Sequence, residues 1–323
     1  MLLDAHELPE GVKLSAGICI VGAGAAGISL ALELAGSGHD VLLLESGGLG
    51  EEPATQALYE GTVTDERLHS PPDRYLQRRY GGSTTIWGGR CVPFDEVDFE
   101  ERDHVPFSGW PISRRDLLPW YPAANALCEA GPFAYTETEA FAWPLRPMIP
   151  GFAGRRFSTG TLERFSCPTD FAARYGARLA NARDVRVVLH ANVTRICLDP
   201  AGTAVTSLEA ATLHGVRFTV VANEIVLATG GLEIPRLLLA SRDVHLNGVG
   251  NEHDVVGRYY MCHLAGTIGE LKVAGPPGSV WHGYDITEDG IYCRRRLALR
   301  PEAQRAERIG TFVARLHHPR IPD

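Results

Sequence analysis

GICIVGAGAAGISLALELAGSGHDVLLLE, residues 17–45, is the stretch on which the fold turns. Gly17-Ile18-Cys19-Ile20-Val21 is a short apolar run rich in β-branched residues, the pattern of a buried strand. It runs into Gly22-Ala23-Gly24-Ala25-Ala26-Gly27. The following ISLALELAGSGHD carries apolar residues at helical spacing and stops at Gly36-Ser37-Gly38, and Val41-Leu42-Leu43-Leu44 then reads as a second strand. In such a unit Gly22 makes the tight turn, Gly24 lets a pyrophosphate approach the backbone, and Gly27 lets helix and strand pack closely. The N–H groups and dipole at the helix start, around Ala25 and Ala26, hold phosphate charge. Glu45 closes the second strand roughly 20 residues beyond the glycines, where an acid accepts hydrogen bonds from ribose hydroxyls. A bare glycine pattern is weak evidence; set in strand, turn, helix, strand and acid it predicts a dinucleotide-binding unit. NAD and FAD use the same device, so the motif leaves the dinucleotide open.

The chain has 323 residues, enough for about two domains. With 45% hydrophobic and 22% charged residues its composition is that of an ordinary globular protein. The net charge of −8 is dispersed. Compact basic runs are short, Arg78-Arg79 and the triplet Arg294-Arg295-Arg296 among them; the triplet reads as a solvated face, and nucleic acid is not an expected partner. Seven cysteines at irregular spacing form no C-x-x-C pair, which argues against a zinc or iron–sulfur site and for reduced thiols. The N-terminus lacks the pattern of a signal peptide, and no window reaches the roughly 18 apolar residues of a membrane span. The expectation is a cytoplasmic protein with no membrane segment.

Further along, Val185–Leu189 and Ala191–Ile196 read as strands, Val205–Leu213 and Val216–Val221 as a hairpin, and Glu224–Ala228 as another strand leading into Thr229-Gly230-Gly231. Pro235 opens a helical segment, IPRLLLAS. Between the two groups lies Gly81-Gly82-Ser83-Thr84-Thr85-Ile86-Trp87-Gly88-Gly89-Arg90. Glycine is costly to order, so two Gly-Gly pairs this close imply a backbone path that only glycine follows.

IVGAGAAGISLALELAGSGHDVLLLESGG, RRYGGSTTIWGGRCVPFDEVDFEERDHVPFSGWPISRRDLLPWY, EIVLATGGLEIPRLLLAS and DVVGRYYMCH occur in this order. In that order they resemble the glucose-methanol-choline (GMC) family of FAD-dependent oxidoreductases, most of all its bacterial sugar and polyol dehydrogenase branch, with pyranose oxidases nearby. The resemblance covers residues 12–265 and implies FAD. It implies an α/β (overall α+β) chain: a Rossmann-type FAD-binding domain built from separated segments, and a second, antiparallel-sheet substrate domain. It further implies that Gly22, Gly24, Ala25, Ala26 and Gly27 hold the pyrophosphate, Glu45 with Ser46 the adenosine ribose, and Val193 the adenine through its backbone. Ala228, Thr229 and Gly230 would close over the cofactor. Gly81, Gly82, Ser83, Trp87, Gly88 and Gly89 would run past the pyrophosphate to the isoalloxazine ring. Some related oxidases carry a flavin-linked histidine just before this tryptophan; here it is Ile86, which has no nucleophile, so non-covalent FAD is expected.

The expected division is 12–105 and 183–265 for the FAD-binding domain, 106–182 for an inter-domain or substrate-cover segment, and 266–323 for the start of the substrate domain. In that last part GTIGELKVAG, GIYCRRRLALR and RIGTFVARLHH read as strands. The family places its catalytic histidine after the substrate-domain sheet, and no such segment is recognisable here. His317-His318 reads as a strand-end pair and His263 as a junction residue, so no catalytic base is assigned. The leading expectation is oxidation of a CH–OH group in a small alcohol, sugar or polyol, with the base contributed by a C-terminal half or a partner chain. A flavin-binding module or split or degraded fragment without activity of its own is the second reading. An NAD-dependent dehydrogenase is a weaker third, because it leaves the later motifs unexplained.

Overall fold

The structure, a computed structural model, describes residues 1–276 and 278–317. The chain divides into two compact units, residues 1–86 with 170–266, and residues 87–169 with 267–323. These boundaries fall inside the expected first segment, 12–105, and the expected cover segment, 106–182.

The first unit is built on a seven-stranded sheet. Its strands are β1 (Leu2–Asp4), β2 (Lys13–Val21), β3 (Val41–Leu44), β4 (Val185–Leu189), β5 (Asn192–Leu198), β6 (Val205–Ala211) and β7 (Arg217–Leu227), in the order β1-β4-β3-β2-β7-β6-β5. The pairs from β1 to β7 are parallel, and β6 and β5 add an antiparallel flank. Cys19, Ile20, Val41, Leu42 and Leu43 have no exposed surface, as expected for strands covered on both faces. Helix α1 (Ala25–Leu34) follows β2 and buries Gly27, Ile28, Ala31 and Leu32. The register sets Val21 opposite both Leu44 and Leu227, and Leu44 opposite Val188. Four parallel strands therefore end in one row.

Several readings change. The predicted hairpin arm 216–221 and the strand 224–228 are one continuous strand, β7, because Arg217–Val220 pair with β6 while Thr219–Leu227 pair along β2 without a break between the two predicted pieces. The polar lead contains β1, an edge strand of three residues, too short to carry a period of its own. Residues 266–275 form no strand, and Ile268 is 77% exposed; alternation without a neighbouring strand to pair with does not make one. The Arg294–Arg296 triplet is not a solvated face: Arg295 and Arg296 are buried, and Arg295 pairs with Glu137 at 2.8 Å and Asp285 at 3.3 Å.

The second unit holds two small antiparallel sheets. One joins Asp285–Ile286, Tyr292–Arg295, Leu162–Phe165 and Arg90–Cys91; the other joins Val313–Ala314, Leu297–Leu299 and Phe157–Ser158. The GIYCRRRLALR stretch supplies two of these strands. All seven cysteines are outside disulfides. Among the described residues no helix is long and apolar enough to cross a membrane. His318 lies outside the described residues.

Candidate functional site

The row of strand ends in the first unit places three chain segments together. Gly22 follows β2, Glu45 follows β3, and Ala228 follows β7. Gly22 has φ +100, and a Cβ there would lie 2.7 Å from the Ala228 carbonyl oxygen. At Gly27 a Cβ would sit 1.9 Å from the Gly22 carbonyl oxygen, so only glycine lets α1 start this close to the strand it leaves. Gly24 is different, since a Cβ there would meet nothing within 4 Å. It is the N-cap of α1 and brings no side-chain acceptor, and Ala25 and Ala26 are exposed at the helix start, where the first N–H groups have no intrahelical acceptor.

Glu45 is 5% exposed. Its Oε2 accepts the Ala23 N–H and its Oε1 the Gly47 N–H, each at 2.9 Å. Burial pushes its carboxyl above the ordinary carboxylate range, against the pull of those two N–H bonds and of the Arg78 charge. The acid at the end of β3 thus clamps the turn after β2 and keeps lone pairs to offer a further donor. Ser46 bonds the Asn192 side chain and accepts from Arg78 Nη1 at 3.0 Å. Ala191 donates to the Glu45 carbonyl at 2.8 Å, so the turn into β5 passes beside the end of β3 and brings Val193, the second residue of β5, near that end.

The 81–86 segment closes on the same turn. Gly81 N–H donates to the Ala23 carbonyl at 2.9 Å, and a Cβ on Gly82 would lie 3.0 Å from the Gly24 Cα. Gly82–Thr85 is a 3-10 turn whose Ser83 hydroxyl accepts the Gln77 N–H at 3.3 Å. Thr229 follows Ala228, and its hydroxyl is buried with no hydrogen-bond partner among the described residues. Gly230, with φ +86, borders open space. Trp87, Gly88 and Gly89 belong to the second unit, where Trp87 Nε1 donates to the Thr169 carbonyl at 3.0 Å and Gly89 accepts the Ser166 N–H at 2.7 Å.

Arg78 carries no role in the sequence reading, yet its side chain is 9% exposed, is ion-paired with Glu233 and stacks 4.1 Å over the Tyr59 ring. An arginine beside a second arginine, next to a glycine-rich segment, is the signal that was available. Its partner lies 155 residues away and is not readable from sequence. His263 is exposed.

Backbone at the carboxyl ends of parallel strands, an open helix start, a buried acid and an orphaned hydroxyl together suit a dinucleotide phosphate and its ribose. The sequence pattern described as FAD dependent oxidoreductase matches residues 17–313, and the chain belongs to that family. FAD is accordingly its cofactor, and its relatives are of the GMC type. It is 26% identical over 308 residues to the 2-methyl-1,2-propanediol dehydrogenase of Mycolicibacterium austroafricanum, covering 76% of this chain and 55% of that protein. It is 28% identical over 309 residues to the 6'''-hydroxyparomomycin C oxidase of Streptomyces lividus, covering 78% of this chain and 56% of that one. Among solved structures, pyridoxine 4-oxidase from Mesorbium loti aligns with a TM-score of 0.43 at 22% identity, over 70% of this chain and 52% of that one. The chain spans about half the length of the curated relatives it matches.

Proposed function

We propose that this chain is the cofactor-holding portion of an oxidoreductase that removes hydride from a CH–OH carbon of a small alcohol, sugar or polyol. The observation that carries the proposal is the meeting of Gly22–Gly27, Glu45, Gly81–Ser83 and Thr229 at one row of strand ends, with open space beside Gly24 and Gly230. Bound FAD would supply the two-electron acceptor, its N5, for that hydride. The chain's own residues do the rest of the holding. The N–H groups at the α1 start meet the pyrophosphate charge, Glu45 accepts ribose hydroxyls beside Ser46, and Thr229 donates its unpaired hydroxyl with Ala228 and Gly230 closing behind it. Val193 offers its backbone to the adenine. Trp87, Gly88 and Gly89 are assigned to the ring end on the family resemblance. Ile86 brings no nucleophile, so the cofactor is held without a bond at that position.

No cradle residue is a histidine, and the one carboxylate among them, Glu45, is tied to the Ala23 and Gly47 N–H groups. On the family resemblance alone, the base is assigned to a segment outside this cradle. Seven free cysteines suit a reducing compartment, and the cytoplasm is the proposed location. A colourless purified protein that takes up no added FAD refutes the proposal. Acid precipitation that leaves flavin on the polypeptide refutes the non-covalent part.

A second reading is a flavin-binding module or a split or degraded fragment without activity of its own. Anaerobic bleaching of bound flavin by sugars or alcohols, with no added protein, separates the two in favour of the first.

A further inference from the structure

On the β1 side of the first unit, one hydrogen bond removed from the Glu45 turn through the His190 N–H on the Gly47 carbonyl at 3.2 Å, four titratable side chains converge. Asp4 ends β1 and caps the 3-10 turn Ala5–Glu7 by accepting the His6 N–H at 2.9 Å. His190 follows β4, the strand to which β1 pairs. Its Nδ1 lies 2.9 Å from Asp4 Oδ1, and its Nε2 lies 2.9 Å from Glu52 Oε1. His6 Nδ1 is 3.2 Å from the same Asp4 oxygen. One ligand atom from each of Asp4, His6 and His190 lies within 4.8 Å of the other two.

We propose that Asp4, His6 and His190 form a divalent transition-metal site of the zinc class, with Glu52 as the residue that orients His190. In a tetrahedral site with bonds of about 2.0–2.1 Å, ligand atoms lie about 3.3 Å apart, so two of the three edges are already near that length. The donor set, two imidazole nitrogens and one carboxylate oxygen, suits zinc and its neighbours and not calcium or magnesium, which prefer oxygen. Glu52 supplies what such sites repeatedly show, a carboxylate on the far ring nitrogen of a ligating histidine; with the proton held there, Nδ1 would give up its hydrogen bond to Asp4 and turn its lone pair to the metal. The side chains of Asp4, His6 and His190 are 35%, 27% and 15% exposed, which leaves room for water as the fourth ligand. The His6 ring also stacks between His190 at 4.4 Å and His214 at 4.3 Å, which fixes its plane. Bound metal would tie the three-residue edge strand to Glu52 and to the end of β4. The proposal does not rest on the flavin reading.

The test uses the full chain without a polyhistidine tag, stripped with chelator and titrated with zinc by calorimetry, then loaded with cobalt(II) for its visible spectrum. The expected result is one zinc per chain and cobalt d–d bands without a thiolate charge-transfer band. His6→Ala, whose side chain is partly exposed, should weaken zinc at least tenfold while far-UV circular dichroism stays unchanged. Glu52→Gln should weaken it about 10–100-fold. Absence of zinc binding, a thiolate band, or wild-type affinity in both variants would overturn the proposal. FAD uptake, followed in the same preparations, reports separately on the cradle.

Discussion

The Glu45 carboxylate accepts the Ala23 N–H at 2.9 Å, so the acid that ends β3 is tied to the glycine turn that follows β2. One side chain thereby braces the turn and stands ready for a ribose. Its folded-state pKa is raised above its ordinary 4.5 by burial. A raised value means that the neutral form's contribution to stability is fully present below about 4.5 and is lost as pH rises through the folded value. Ribose hydroxyls donate to the ionised form, so FAD binding should strengthen as pH rises through the same value. Fluorescence titration of FAD against pH should show that rise in the wild type and a flat profile in Glu45→Gln; parallel profiles would sink the assignment.

Gly24 and Gly27 stand three residues apart and should respond in opposite ways. Gly27→Ala drives a Cβ into the Gly22 carbonyl and should cost about 3 kcal/mol, at the upper end of overpacking effects. Gly24→Ala meets open space and should change stability by no more than about 1 kcal/mol, while the new methyl group occupies the phosphate approach. Urea unfolding and FAD titration of both variants check this. A Gly24→Ala protein with wild-type FAD affinity would show that the pyrophosphate lies elsewhere.

Removing the orphaned Thr229 hydroxyl should help the protein without cofactor. Thr229→Val takes away a buried polar group that has no partner among the described residues, and is expected to raise stability by about 1 kcal/mol. The same change should weaken FAD by about two- to tenfold, the effect of one hydrogen bond. Thermal melts with and without FAD read both signs at once.

Arg78 and Glu233 form a nearly buried ion pair, and Glu233 also pairs with Arg236 at 2.5 Å. Arg78→Met should cost about 3 kcal/mol, near the low end for breaking such a pair, because Arg236 still meets the carboxylate. The double variant Arg78→Met/Glu233→Gln should recover much of that loss, which a double-mutant cycle in urea measures.

The glycine turn, the strand that precedes it and the helix that follows were legible because their causes are local. A tight turn, a close helix approach and an apolar strand each impose a residue type within a few positions. The β4 strand and the Glu233–Ala240 helix were legible for the same reason. By contrast, the sequence marks 216–221 and 224–228 as separate, and only pairing along the full length of β2 makes them one strand. The Arg294–Arg296 triplet looked solvated because charge is read residue by residue, whereas burial depends on Glu137 and Asp285, which lie elsewhere in the chain.

By itself, then, the sequence determined that residues 17–45 form a dinucleotide-binding turn and that a second glycine-rich segment and an Ala-Thr-Gly strand exit accompany it. Only the tertiary structure decided that these three meet. The register that sets Val21 against Leu44 and Leu227 brings together residues up to about 200 positions apart, and left Thr229 with a hydroxyl to give. It also set Asp4 beside His190, because pairing of β1 with β4 is a long-range choice that no local pattern encodes.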